Sequence, residues 1–185
     1  MSPVSHLLFS WLSTAELLKA RRERMLVSIS GIAPDFDGLG LIVDKISSST
    51  NFYYQYHHYI GHSIFSALFI STVATFLASS QKFIVFLLSF ILVHVHILFD
   101  LIGSKSPDGY QWPIYYFYPI NSEYGLTWSG QWELNAWQNN VIMLCLLLGC
   151  GYYAVTKKIS FLEVFSSKLN NEAFKMYSKY SGKRT

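Results

Sequence analysis

The sequence predicts an all-α fold, an integral membrane helical bundle of three to four membrane helices beneath an aromatic interfacial cap. Three observations carry that expectation. Of 185 residues, 51% are hydrophobic and 14% charged, well under the quarter or so that soluble domains carry. Three apolar runs recur along the chain. Between the second and third lies a connection dense in Trp, Tyr, Pro and Gly. The net charge of +3 is small and scattered, which argues against a nucleic-acid footprint. Cys145 and Cys150 sit inside an apolar stretch and read as small hydrophobes rather than a disulfide framework or a zinc pair. The N-terminus lacks the basic start and cleavage site of a secretory signal, so it is expected to be retained.

Residues 4–20 read as a helix, because Leu7, Leu8, Trp11, Leu12, Ala15 and Leu18 recur at i, i+3 and i+4. It is expected to span or to be partly embedded, with His6 near its start. A basic cluster, Arg21, Arg22 and Arg24, precedes residues 25–33, an apolar stretch too short to span alone. Pro34 ends that stretch, and 31–38 reads as a turn in which Asp35 and Asp37 flank Phe36. Such aspartates are ordinary turn residues when met alone. Residues 38–56 read as irregular, with a loop at 47–51. Residues 53–63 then hold His57, His58 and His62, three of the six histidines. A His-rich tract is a metal signal, whereas the interleaved tyrosines by themselves would suit an interfacial belt. Crossing a hydrocarbon core of roughly 30 Å takes about 20 helical residues. Residues 83–103 meet that length outright, and 61–80 and 136–156 meet it with their flanks. The 104–138 connection is too aromatic for disorder and reads as an ordered cap. Residues 159–185 form a polar, Lys-rich tail with one surface helix at 160–177. The chain thus divides into a membrane-embedded domain at 1–158 and a polar tail at 159–185.

The chemistry centres on His94-Val95-His96-Ile97-Leu98-Phe99-Asp100, which closes the second apolar run. His96 and Asp100 are four apart and share a helix face. An imidazole and a carboxylate there make half of a metal site, and ionisable groups inside an apolar helix point to function. His94 and His96 are about 200° apart on a helix, so His94 is expected to face another helix or to give an outer hydrogen bond. The full candidate set is His6, Asp35, His57, His62, His96 and Asp100. Mixed nitrogen and oxygen ligands suit Zn2+ ahead of Mn2+ or Fe2+, as one or two ions. Asp37 or Glu133 is a spare carboxylate for general base catalysis. Arg21, Arg22, Arg24, Lys82, Lys157 and Lys158 can lie on one side, which the positive-inside rule makes cytoplasmic. Lys45 and Lys105 dissent singly. The tail is then cytoplasmic, and every candidate ligand falls at the opposite face with the cap.

The order His…Pro-Asp-x-Asp…His-x4-His-Ser…His-x3-Asp resembles the membrane-bound metal-dependent hydrolases of the YdjM type, inner-membrane proteins, some under LexA control, with a distant similarity to zinc-dependent phospholipase C. The resemblance covers roughly residues 1–156. It rests on Pro34-Asp35-Phe36-Asp37, His57…His62-Ser63 and His96…Asp100, with support from Gln111-Trp112-Pro113 and from residues 132–137. It implies metal-site roles for Asp35, His57, His62, His96 and Asp100, and less directly for His6. The family's middle motif reads His-Arg-Gly-x-Thr-His-Ser, whereas here His58, Tyr59 and Gly61 replace Arg, Gly and Thr. If that Arg holds an anionic substrate, its loss bears on phosphate recognition.

The expected function is metal-dependent hydrolysis of a phosphoester or ester of a lipid or amphiphile, because the site opens at an interface beneath aromatic residues. The competing expectation is a non-enzymatic membrane protein, a metal or proton transporter or a stress-response structural protein with a metal-binding site. A transporter should place polar groups through the depth of the bilayer. Here they gather at one end.

Overall fold

The computed structural model describes residues 1–47 and 49–181. Eight helices follow one another among them: α1 (Pro3–Thr14), α2 (Arg21–Ile32), α3 (Gly40–Ile46), α4 (Phe52–Tyr56), α5 (Ile64–Leu77), α6 (Lys82–Gly103), α7 (Trp137–Lys157) and α8 (Ser167–Ser181). Two 3-10 segments, Ala33–Leu39 and Phe161–Val164, complete the described helical structure. No strand forms among the described residues, which carry only two isolated β-bridges.

The α1 helix begins at Ser2, whose hydroxyl accepts from the Ser5 amide, with Pro3 in the first turn. A proline costs nothing there because that N–H has no helical partner. The α1 helix packs on α2 and α7, and α2 in turn packs on α6, which pairs with α5. Leu8 and Trp11 are fully buried, so α1 is a core helix of 12 residues, about 18 Å long and short of a span. The close approach of α1 and α2 depends on Gly31. A Cβ there would stand 1.9 Å from Ser10 Oγ.

Three helical stretches are long and apolar enough to cross a membrane: Arg21–Ile46, Lys82–Gly103 and Trp137–Lys157. Two of these match the sequence expectation. The run at 61–80 does not, because Ser63 caps α5 through the Ser66 amide and Ala78 is already extended. That leaves 14 residues, about 21 Å. The third stretch is instead α2, the 3-10 segment and α3 joined end to end, where sequence reasoning expected a short helix and irregular chain. Phe69, Phe76, Phe83 and Leu148 stand on outer faces, largely exposed, as suits side chains that meet lipid.

The helix polarity sorts the molecule into two ends. At one end, Glu23 is buried and accepts from the Ser79 and Ser80 amides and the Ser80 hydroxyl. Beside it, Arg24 forks onto both oxygens of Glu163 at 2.7 Å, and Trp11 donates to the same carboxylate. Val164 packs in the cluster of Leu7, Leu8 and Trp11. Residues 159–166 are therefore fastened to the bundle, and α8 begins only at Ser167. At the other end lie the start of α1, the 3-10 segment after α2, the start of α5 and the last turns of α6.

The cap covers that second end. Ile114 and Leu126 exchange backbone hydrogen bonds at 2.9 Å, and Tyr116 accepts from the Ile64 amide. Gln131 donates to the Asp100 carbonyl and Asn139 to the Gly103 carbonyl. These are the last carbonyls of α6, which have no partner inside the helix.

Candidate metal centre

One ligand atom each from Asp35, His62, His96 and Asp100 lies within 4.8 Å of all the others. Each residue arrives from a different place. Asp35 sits in the first turn of the 3-10 segment, fixed by Pro34. His62 immediately precedes the Ser63 cap of α5. His96 and Asp100 share one face of α6, both 1% exposed. His96 Nε2 stands 3.0 Å from Asp100 Oδ2, 3.2 Å from His62 Nε2 and 3.6 Å from Asp35 Oδ1. His62 Nε2 is 3.3 Å from Asp100 Oδ2. Donors about 2.0–2.2 Å from one divalent ion stand roughly 3–3.6 Å apart, so these spacings fit a shared cation.

The proton positions sharpen that fit. His96 Nδ1 lies 2.8 Å from the Gly31 carbonyl, which can only accept, so Nδ1 carries the hydrogen. His62 Nδ1 lies 2.9 Å from Asp37 Oδ2 and donates likewise. The two Nε2 atoms face each other at 3.2 Å beside two carboxylates. Burial lowers the His62 imidazole but Asp37 and Asp100 outweigh it and raise it to about 9, so the space between these groups favours a positive charge, a proton or a metal ion. A partner that fixes the tautomer from behind is the usual outer support of a metal-bound imidazole.

Asp37 is a hub rather than a free carboxylate. Its oxygens accept from His57 Nδ1 at 2.9 Å, His62 Nδ1, and the His58 and Gly61 amides. Gly61 fits this turn because a Cβ would stand 2.1 Å from the Pro34 carbonyl oxygen. The structure places Asp37, expected as a spare carboxylate, behind the histidines, with its oxygens engaged in orienting them. Glu133, the other carboxylate the sequence offered, lies elsewhere. Its backbone bridges to Lys105 and its carbonyl accepts from Asn139, and the residue neither joins the cluster nor lines the cavity beside it.

His57 stands apart from the four donors. It is held by Asp37, stacked on Tyr53 and edge-on to Trp112. His6 is buried against Asp100 Oδ1 at 3.1 Å and stacks on His96. The Met1 amino group donates to the same Oδ1, which leaves Oδ2 to face His62 and His96. His94 turns away, paired with the Phe90 carbonyl and the Tyr116 hydroxyl.

Sequence reasoning overlooked His58. It is 1% exposed, its Nε2 is 3.9 Å from Asp100 Oδ2, and it lies in the left-handed backbone region with φ 70°. Burial, with His62 and His57 beside it, holds its imidazole well below the usual histidine range. Nothing in the spacing distinguished it from its neighbours, because only a turn bound to Asp37 brings it inward. The Tyr59 ring stacks on Tyr115, and their hydrogen bond, with burial, pushes the Tyr59 phenol up to about 12.

A cavity of about 520 Å³ opens beside the cluster, within the range of small-molecule sites. Asp35, His57, His58 and Asp100 face it, and Leu39, Ile42, Trp112 and Leu134 help to form its apolar wall. Among the described residues, no Lys or Arg lines it.

No curated protein and no solved structure matches the chain. Residues 1–167 match the family described as YdjM inner membrane protein, a stretch that takes in the whole cluster, the cap, the apolar helices and the Glu163 anchor. The chain belongs to the YdjM inner membrane protein family.

Proposed function

We propose that this protein is a metal-dependent hydrolase that cleaves a phosphoester or ester of a lipid or amphiphile at the membrane surface. The observation that carries the reading is the convergence of Asp35, His62, His96 and Asp100, with one ligand atom of each within 4.8 Å of the others. In this reading Asp35, His62, His96 and Asp100 hold the ion, and their mixed nitrogen and oxygen set suits Zn2+. A divalent cation supplies charge that acidifies water and polarises an ester or phosphoester oxygen. The chain's own residues do the rest. Asp37 and the Gly31 carbonyl keep the two imidazoles in the ligating tautomer. His6 steadies Asp100 from its far oxygen. Asp35 faces the cavity and has an oxygen without a partner among the described residues, so it links the ion site to the space a substrate would enter. Leu39, Leu41 and Ile42 line the cavity and are also about half exposed, which suits an acyl chain arriving from lipid.

The ionisable cluster lies at one end of α6 and not along its length. That distribution favours an enzyme over a transporter. The Lys and Arg distribution supports a site on the non-cytoplasmic face and a cytoplasmic tail. The test is metal content of the detergent-purified protein, with activity on a panel of phosphoester and carboxylic ester amphiphiles before and after chelation. Bound metal together with chelator-sensitive cleavage is the expected result. Protein that takes up no divalent ion and cleaves none of the panel overturns the reading.

A further inference from the structure

Two buried polar atoms beside the cluster have no hydrogen-bond partner: Asp35 Oδ2 and His58 Nδ1. Both residues line the same cavity, as does Asp100, and Asp35 and Asp100 belong to the four-donor site. Burying such atoms unpaired is costly, so their coincidence at one cavity calls for a ligand. The His58 backbone adds an independent mark. A histidine with φ 70° is held in a sparsely populated conformation, which structures keep where surroundings over-determine it. Here the His58 amide donates to Asp37 Oδ2 and its carbonyl accepts from the Tyr115 amide. Those two bonds turn the ring inward, against His57 on one side and His62 on the other, with centroids 4.2 Å and 4.3 Å away.

We propose that His58 and Asp35 hold a second divalent cation on the cavity side of the four-donor site, with Asp35 bridging the two ions through its two oxygens. Asp35 Oδ1 already faces His96 at 3.6 Å, which leaves Oδ2 for the second ion. The remaining ligands are water or substrate from the cavity. Carboxylate oxygen with imidazole nitrogen is a donor set for Zn2+ or Mn2+. The consequence for substrate rests on the hydrolase reading. Among the described residues the cavity has no Lys or Arg in its lining, so a second ion supplies the positive charge an anionic phosphoester needs. Paired ions about 3.5–4 Å apart clamp the attacking and leaving oxygens of such a group.

The experiment counts ions. Full-length protein in detergent is equilibrated with Zn2+, desalted and assayed for zinc per chain, and titrated with Mn2+ followed by paramagnetic resonance. Wild type, His58→Ala, His58→Gln and His96→Ala are compared. The expected result is two ions and a coupled Mn2+ spectrum in wild type. Both His58 variants should retain one ion and an uncoupled spectrum, with the second dissociation constant raised more than about 100-fold, beyond what loss of an outer support costs. The retained ion also reports that these variants are folded. One ion in wild type, unchanged in the His58 variants, overturns the proposal and assigns the orphaned atoms to water. Two ions in the His58 variants, or loss of both, overturns it as well, because His58 then holds neither ion or belongs to a single site. A wild type without zinc defeats the hydrolase reading together with it.

Discussion

His96 and His94 are two residues apart on α6 and face different partners, the first the four-donor cluster and the second Tyr116. His96→Ala removes a ligand atom and should abolish binding at the four-donor site. His94→Ala removes only a hydrogen bond to the cap and should weaken metal binding by no more than about 10-fold, the low end for an outer support. Metal stoichiometry of the two variants after gel filtration checks the contrast, and metal loss confined to His94→Ala would refute the register. Asp37→Asn tests the layer behind. An amide can offer His57 and His62 a donor where each needs an acceptor, so the His62 tautomer is no longer fixed. Metal affinity should fall about 10–100-fold with the fold retained, measured by competition with a chromophoric chelator, and an unchanged affinity would strip Asp37 of its role. At this scale the sequence was legible where spacing is local. His96 and Asp100 share a face by the four-residue rule. Asp37 was read as a spare base because its four donors come from residues 20 or more positions away, which no spacing rule reveals.

Elements were legible where length and period agree. The α6 and α7 helices, of 22 and 21 residues, match the apolar runs at 83–103 and 136–156, but α3 and α4 are five- to seven-residue helices, too short to show a period. Their role is to carry the chain from Asp35 to His57. The 61–80 run looked like a span because apolar composition does not record that Ser63 caps a helix and Ala78 ends it. Gly31 shows how one element's packing sets another's chemistry. Its missing side chain lets α2 lie on Ser10 of α1, and its carbonyl orients His96. Gly31→Ala would place a methyl into Ser10 Oγ, which costs about 1–3 kcal/mol as overpacking and shifts the carbonyl. Lower thermal stability in detergent and weaker metal binding should appear together. An unchanged melting temperature would show that the α1–α2 seam relaxes freely.

Across the whole molecule, the cluster end and the charged end are separated by the length of α6, and each is sealed by its own polar network. At the charged end, Arg24 is buried and depends on Glu163. Glu163→Ala leaves that guanidinium uncompensated, a loss of about 3–5 kcal/mol for a broken buried pair, so the variant should unfold markedly earlier in a thermal scan. Wild-type behaviour would mean that water reaches Arg24. The same network bears on orientation. Even with Arg24 set aside as a structural ion, Arg21, Arg22, Lys82, Lys157 and Lys158 lie at this end against Lys45 and Lys105 at the other. Basic residues near helix ends stay on the cytoplasmic side, which supports the proposed orientation with α8 cytoplasmic and the cap and cluster outside. Residues 159–166 are fastened to α1 and α2, so α8 cannot be on the opposite side from Arg24. The orientation can be read by labelling Ser129→Cys in the cap and Ser167→Cys at the start of α8, both exposed positions. Cys145 and Cys150 are first replaced so that no native thiol reacts. In intact cells a membrane-impermeant maleimide should modify Ser129→Cys and spare Ser167→Cys until the membrane is opened. The reverse pattern would put the cluster in the cytoplasm, and the substrate would then have to come from the inner leaflet.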